Sequence, residues 1–141
     1  MTIFIDENMA PVLSEGFNLL QRHESLKYRF KEPVEVKSLR TEFGQGMDDE
    51  EWIPKLRGMN ACVITQDYNI HRTKHQRQLC KEHGVGMFYF RPPSKNGFLY
   101  WDMLTMMVKH WPEIMKTTSK QKPPFSYKVT SKSSKLEPME D

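Results

Sequence analysis

Apolar positions along the chain alternate between short unbroken runs and longer helical periods. Ile3 to Ile5 form a short apolar strand, and Leu13, Phe17 and Leu20 then recur at helical spacing, with Val12 and Leu19 beside them. Asn8 is the simplest cap for that helix, and Pro11 is tolerated in its first turn. The polar stretch 21–32 reads as a loop or a frayed helix end. "PVEVKSL" alternates, which predicts a short strand on Val34, Val36 and Leu39. "TEFGQGMDDEEW" is acidic and punctuated by glycine, a loop entering a short helix that carries Trp52, Ile53 and Leu56. A proline inside a helix costs roughly 3 kcal/mol, so this helix is expected to start late enough to hold Pro54 in its first turn.

"ACVIT" is the clearest strand, an apolar run fit for burial on both faces. A basic helix follows from about His71 to His83, with Gly84 placed to close it. "VGMFYF" is another strand, and "RPPSKNG" a loop whose prolines forbid regular structure. Phe98 to His110 has helical spacing, with Leu99, Met103 and Met107 in register. Pro112 either kinks that helix or begins a further turn. "PFSYKVT" supplies a last strand. The domain is expected over residues 1–130, and the polar segment 131–141 is expected to be a flexible tail. Strands alternating with helices argue for an α/β domain with a mainly parallel sheet, right-handed crossovers and helices on both faces.

At 141 residues the chain has the size of one ordinary domain. A hydrophobic share of 38% suffices for a core, and no apolar run approaches a membrane span of about 20 residues. The N-terminus lacks the basic-then-apolar pattern of a signal peptide. Cys62 and Cys80 are the only cysteines, and they read as reduced thiols of a cytoplasmic protein. The net charge of +3 conceals an asymmetry. Residues 1–60 hold 8 Lys and Arg against 11 Asp and Glu, and residues 61–141 hold 13 against 7. The halves therefore carry 8 − 11 = −3 and 13 − 7 = +6. Such a division suits a protein that holds a cation on one side and a polyanion on the other, and is equally what scattered surface charge produces.

Asp6 and Asp67 each stand at the carboxyl end of an apolar strand, the edge where open parallel sheets bind ligands. On neighbouring strands their carboxylates would lie about 5 Å apart. The acidic stretch Asp48 to Glu51 lies at a loop-to-helix junction that can face the same edge. Crowded carboxylates repel, and a hard divalent cation such as Mg2+ or Mn2+ relieves that repulsion. A cation held in this way can activate water and neutralise charge on a phosphate, which is the chemistry of phosphodiester hydrolysis. Taken singly, either aspartate reads more simply as a cap of the following segment.

"IFIDEN", "DDEEWIPKL" and "CVITQDYNI", in that order and spacing, resemble a PIN-like domain. The similarity covers roughly residues 1–90 and is nearest to the VapC-type toxins of toxin–antitoxin pairs. The resemblance implies a three-layer fold with a mainly parallel central sheet, an acidic cluster binding Mg2+ or Mn2+, and endoribonuclease activity. It assigns metal binding and catalysis to Asp6, Asp49 and Asp67, and implies an RNA substrate and a cognate antitoxin. Asn69 stands where many relatives carry a further acid. Asp48 and Glu51 compete with Asp49 for the middle role, and Glu7 is a bystander or a supporting acid.

Arg72, Lys74, His75, Arg77 and Lys81 place positive charge close after Asp67. Contacts of this kind supply sequence-independent affinity for RNA phosphates, although a solvated helix face has the same composition. Arg72 and Lys74 are nearest to Asp67 in sequence. Tyr100, Trp101 and Trp111 can stack on bases. Their spacing with Met103, Met106 and Met107 fits core better, or a pliable surface for an antitoxin or a homodimer partner. Two rival readings stand beside a ribonuclease. A catalytically silent PIN-like RNA- or protein-binding module would account for Asn69. A phosphoacceptor receiver-like domain would need a lysine at the end of a late strand, where this chain has Arg91, with Lys128 inside its strand.

Overall fold

The computed structural model describes residues 1–6, 9–28, 34–66, 69–92 and 99–139. In chain order its elements are β1 (Thr2–Ile5), α1 (Pro11–Tyr28), β2 (Glu35–Ser38), α2 (Leu39–Phe43), α3 (Asp49–Lys55), β3 (Ala61–Thr65), α4 (Ile70–His83), β4 (Gly86–Phe90), α5 (Tyr100–Lys120), β5 (Phe125–Val129) and β6 (Glu137–Pro138). The strands form one sheet in the order β2-β1-β3-β4-β5-β6. β1 to β5 are parallel, and β6 runs antiparallel to β5. The fold is thus mixed α/β with a mostly parallel central sheet, as the alternating pattern predicts.

Side chains alternate across the strands, so each face of the sheet gathers its own core. Ile3, Ile5, Cys62, Ile64, Phe88 and Phe90 pack on one face with Leu13 and Phe17 of α1 and Met103, Met107 and Trp111 of α5. The Phe17 and Trp111 rings meet edge to face at 4.7 Å. Phe4, Ala61, Val63, Met87 and Tyr89 pack on the other face, under Leu39, Trp52, Ile53 and Cys80 from α2, α3 and α4. β3 and β4 are buried along their whole length, which is why they read as unbroken apolar runs.

Several boundaries differ from the sequence expectation. Helix α1 does not end near residue 21 but continues to Tyr28. Its polar residues are held by the edge strand: Gln21 Nε2 donates to the Val34 carbonyl at 2.6 Å, and the Val36 N–H donates to Asn18 Oδ1 at 2.8 Å. The second bond satisfies a donor on the open edge of β2. Pro11 opens α1, so the cap position falls on Ala10; Asn8 lies outside the described residues. Leu39 does not extend β2 but begins α2, where Ser38 Oγ accepts from the Thr41 N–H at 3.3 Å.

Helix α3 starts at Asp49, so Pro54 falls in its second turn instead of its first. The helix ends one residue later, so the proline interrupts little of its ladder. Helix α5 runs unbroken past Pro112, with Met107, His110 and Trp111 buried before it and Ile114 and Met115 after it. Packing on both sides of the proline outweighs its local cost. Leu99, by contrast, is exposed. Part of the polar C-terminal segment is tied down: Lys128 pairs with Glu137 at 3.0 Å, and the Met139 N–H donates to the Ser126 carbonyl at 2.9 Å.

The sheet order has a functional consequence. β1 lies between β2 and β3, so the chain leaves β1 toward one edge of the sheet and returns to build the other. In open parallel sheets this reversal leaves a crevice at the carboxyl ends of the two neighbouring strands whose outgoing connections diverge, here β1 and β3.

Candidate active site

Asp6 is the first residue beyond β1 at that crevice. Its N–H donates to the Ile64 carbonyl at 2.9 Å, which extends the ladder with β3 by one rung. The register Ile5↔Ile64 then sets Asp6 beside Thr65, the last residue of β3. The Thr65 hydroxyl donates to Asp6 Oδ2 at 2.7 Å, and Thr65 is itself buried. The Asp6 carboxylate is therefore oriented by the neighbouring strand and stays half-buried at the rim. Asp67 and Glu7 lie outside the described residues.

Asp49 comes from a different element and converges on the same cleft, which Asp6, Asp49, Thr65, Arg72 and Gln76 line beside an apolar wall of Leu39, Phe43 and Met47. It opens α3 and is only 7% exposed. Its Oδ1 accepts from Trp52 Nε1 at 3.0 Å and from Gln76 Nε2 at 3.2 Å, and its Oδ2 faces Arg72 Nε at 3.8 Å. Asp48 and Glu51, the competing acids, are both exposed, and Asp48 stands in the cap position of α3 without a side-chain cap bond. Of these acids, Asp49 is the one that lines the cleft.

The donor set suits a hard cation. The carboxylates are oxygen ligands, one half-exposed at a strand end and one with an oxygen turned toward the cleft. Mg2+ and Mn2+ keep several waters and need only one or two protein carboxylates. Among the described residues no group of three or more His, Cys, Asp or Glu gathers closely enough to hold a metal ion by itself. Asp6 and Asp49 would be its protein ligands there, with Asp67 the remaining acid named by the sequence pattern.

Residues 1–92 match the family model described as "PIN like domain". The chain belongs to the PIN-like domain family. That family consists commonly of nucleases, and the match spans β1 to β4, including both described acids of the cleft. No curated protein and no solved structure matches the chain. Helix α5 and the strands β5 and β6 lie beyond the matched region.

The basic helix α4 distributes its charge unevenly around this domain. Asn69 Oδ1 accepts from the Arg72 N–H at 3.0 Å, which makes Asn69 the cap of α4. The cap orients the first turn so that Arg72 reaches the acidic cleft. Lys74 is exposed. His75 Nε2 lies 2.6 Å from Glu50 Oε1, and this hydrogen bond holds the Glu50 carboxyl below its ordinary value. Arg77 does not join the cleft; with Lys81 it lines a separate hollow against β5 and the C-terminal segment. Tyr100 and Trp101 are exposed, whereas Trp111 is core.

Thr65, Trp52 and Gln76 belong to the site although the motif reading passes over them. Their spacing was available as a signal. Trp52 stands three residues after Asp49 and Gln76 four after Arg72, so each shares a helix face with a group of the cleft. Cys62 and Cys80 are not site nucleophiles: burial pushes both thiols up to about 12. No helix among the described residues is long and apolar enough to cross a membrane. Lys128, the rival candidate for a receiver-like site, pairs with Glu137 on the distal edge of the sheet.

Proposed function

We propose that the protein is a metal-dependent endoribonuclease that hydrolyses RNA phosphodiester bonds, with Asp6, Asp49 and Asp67 as the acids that hold Mg2+ or Mn2+. The observation that carries this reading is the convergence of Asp6 and Asp49, from separate elements, on one cleft at the switch point of a PIN-like sheet. When bound, the cation supplies Lewis acidity toward water and phosphate oxygens. The chain supplies the rest. Thr65 fixes the Asp6 carboxylate, Trp52 and Gln76 fix that of Asp49, and the apolar wall of Leu39, Phe43 and Met47 limits water on one side. Arg72 stands at the cleft where a scissile phosphate would lie, and Lys74, with His75 beside it, extends positive charge along the exposed face of α4. These contacts hold RNA through its backbone and leave the sequence unread.

The finer reading is a VapC-like toxin held inactive by a cognate antitoxin. It rests on the order and spacing of "IFIDEN", "DDEEWIPKL" and "CVITQDYNI". A neighbouring reading frame for a small antitoxin-like protein that co-purifies with this chain supports it, and growth unaffected by expression of the chain alone contradicts it. One observation favours a silent PIN-like binding module instead: Arg72 already provides Asp49 with a counter-charge. Calorimetric titration with Mn2+ separates the two, because the module would release no heat of binding. For the nuclease, Asp6→Asn and Asp49→Asn should each fold and lose Mn2+-dependent cleavage of RNA.

A further inference from the structure

The two oxygens of the Asp49 carboxylate have different surroundings. Oδ1 accepts from both the Trp52 indole N–H, at 3.0 Å, and the Gln76 amide, at 3.2 Å. Trp52, Gln76 and Asp49 are all at least nine-tenths buried. The amide cannot turn over freely, because the Asp49 carboxylate only accepts and so requires Gln76 Nε2 on its side, with the Tyr89 hydroxyl 3.3 Å from Gln76 Oε1 on the other. Among the described residues Oδ2 faces Arg72 alone, at 3.8 Å, and the Arg72 side chain is half-exposed. Two donors on one oxygen anchor the carboxylate; the other oxygen has only a longer ion-pair contact, beyond hydrogen-bond reach, and is the one a cation can take.

We infer that Trp52 and Gln76 are positioning residues that commit Asp49 Oδ1 to the protein and present Oδ2 to an incoming divalent cation, and that Arg72 is the resident counter-charge which that cation displaces. The inference rests on the metal-dependent reading given above. It adds what the acids alone do not specify: which oxygen of Asp49 binds, what aims it, and which group yields. Groups that aim a metal ligand typically change metal affinity 10- to 100-fold when removed. Arg72 acts in the opposite direction, since its charge both competes for Oδ2 and repels the cation. Displaced from Asp49, the guanidinium is placed to take a phosphate oxygen in a forked contact.

The test is calorimetric titration of the full chain with Mn2+, for wild type and for Trp52→Phe, Gln76→Met and Arg72→Gln, each checked for folding by circular dichroism. Gln76→Met removes one donor at nearly constant volume, Trp52→Phe removes the other with a smaller ring in its place, and each should weaken Mn2+ binding about tenfold. Arg72→Gln changes an exposed side chain and should tighten it several-fold. Opposite shifts from the two kinds of variant have no origin in a general loss of structure. Affinities of Trp52→Phe and Gln76→Met within twofold of wild type, or a weaker Arg72→Gln, overturn the inference and leave the metal-dependent reading standing. Absence of Mn2+ binding by wild type overturns both. Should either buried variant fail to fold, the sign of the Arg72→Gln shift decides.

Discussion

At the scale of single residues, buried polar groups decide the chemistry. Thr65 spends a buried hydroxyl on one oxygen of Asp6. Thr65→Val removes that donor while keeping the shape, so we expect a stability loss of about 1 kcal/mol. RNA cleavage should fall more than folding, about tenfold, in a single-turnover assay. A different buried group controls acid stability. His110 is fully buried under β4 with Phe90 edge-on at 6.3 Å, and neither ring nitrogen has a hydrogen-bond partner among the described residues. Burial holds its imidazole below 6.5; the Thr130 backbone opposes this, at a geometry too poor for a hydrogen bond. Well above pH 6.5 both folded and unfolded chains carry it neutral, so it contributes nothing there. As pH falls below that value the unfolded chain takes up a proton that the folded chain refuses, and stability is lost. Urea unfolding at pH 7 and pH 5 should show this decline, and His110→Phe should flatten it. The same decline in both proteins assigns it to other groups.

At the scale of elements, the strands and helices are legible in the sequence wherever burial is one-sided or complete. "ACVIT" is β3, "VGMFYF" is β4 with Val85 just ahead of it, and the basic helix ends at Gly84 in the left-handed conformation its glycine permits, φ 71°. The misread boundaries share a cause. Asn18 and Gln21 belong to a helix although polar, because backbone groups of a distant strand recruit them. Pro54 and Pro112 sit inside helices because long-range packing outweighs their local cost. The edge strand β6 carries no apolar signal at all. Among the described glycines, Gly86 is the one with no room for a side chain. A methyl group there would lie 2.5 Å from the Phe125 ring, which Phe88 and Tyr127 already confine. Gly86→Ala should cost about 1–3 kcal/mol, read as a lower Tm in a melting experiment. An unchanged Tm would mean that β4 and β5 pack less closely than described.

At the scale of the whole molecule, the site is a product of topology. Asp6 and Asp49 are far apart in sequence and line one cleft because the connections leaving β1 and β3 diverge there while α3 lies against α4 beside it. The acid motifs, read in order, pointed to this meeting; the groups that hold the acids did not register, since a threonine, a tryptophan and a glutamine carry no charge pattern. Charge follows the same plan. α4 begins beside the acids with Arg72 and carries Arg77 and Lys81 toward β5, so a polyanion crossing the helix passes from the cleft to the distal hollow. Binding by that route should weaken steeply with salt. A fluorescent single-stranded RNA titrated without metal at two salt concentrations should show the loss, and Lys74→Glu should weaken binding at both concentrations while making the loss with salt shallower.

The central claim is that the strand-end acids form a working metal-dependent site. It is tested most directly by cleavage of a labelled RNA by purified wild type, Asp6→Asn, Asp49→Asn and Asp67→Asn, with Mn2+ and with EDTA. Cleavage by wild type in Mn2+, abolished by EDTA and reduced at least a hundredfold in each folded variant, is the predicted result. Cleavage that persists in EDTA, or in the Asp6 and Asp49 variants, contradicts the account.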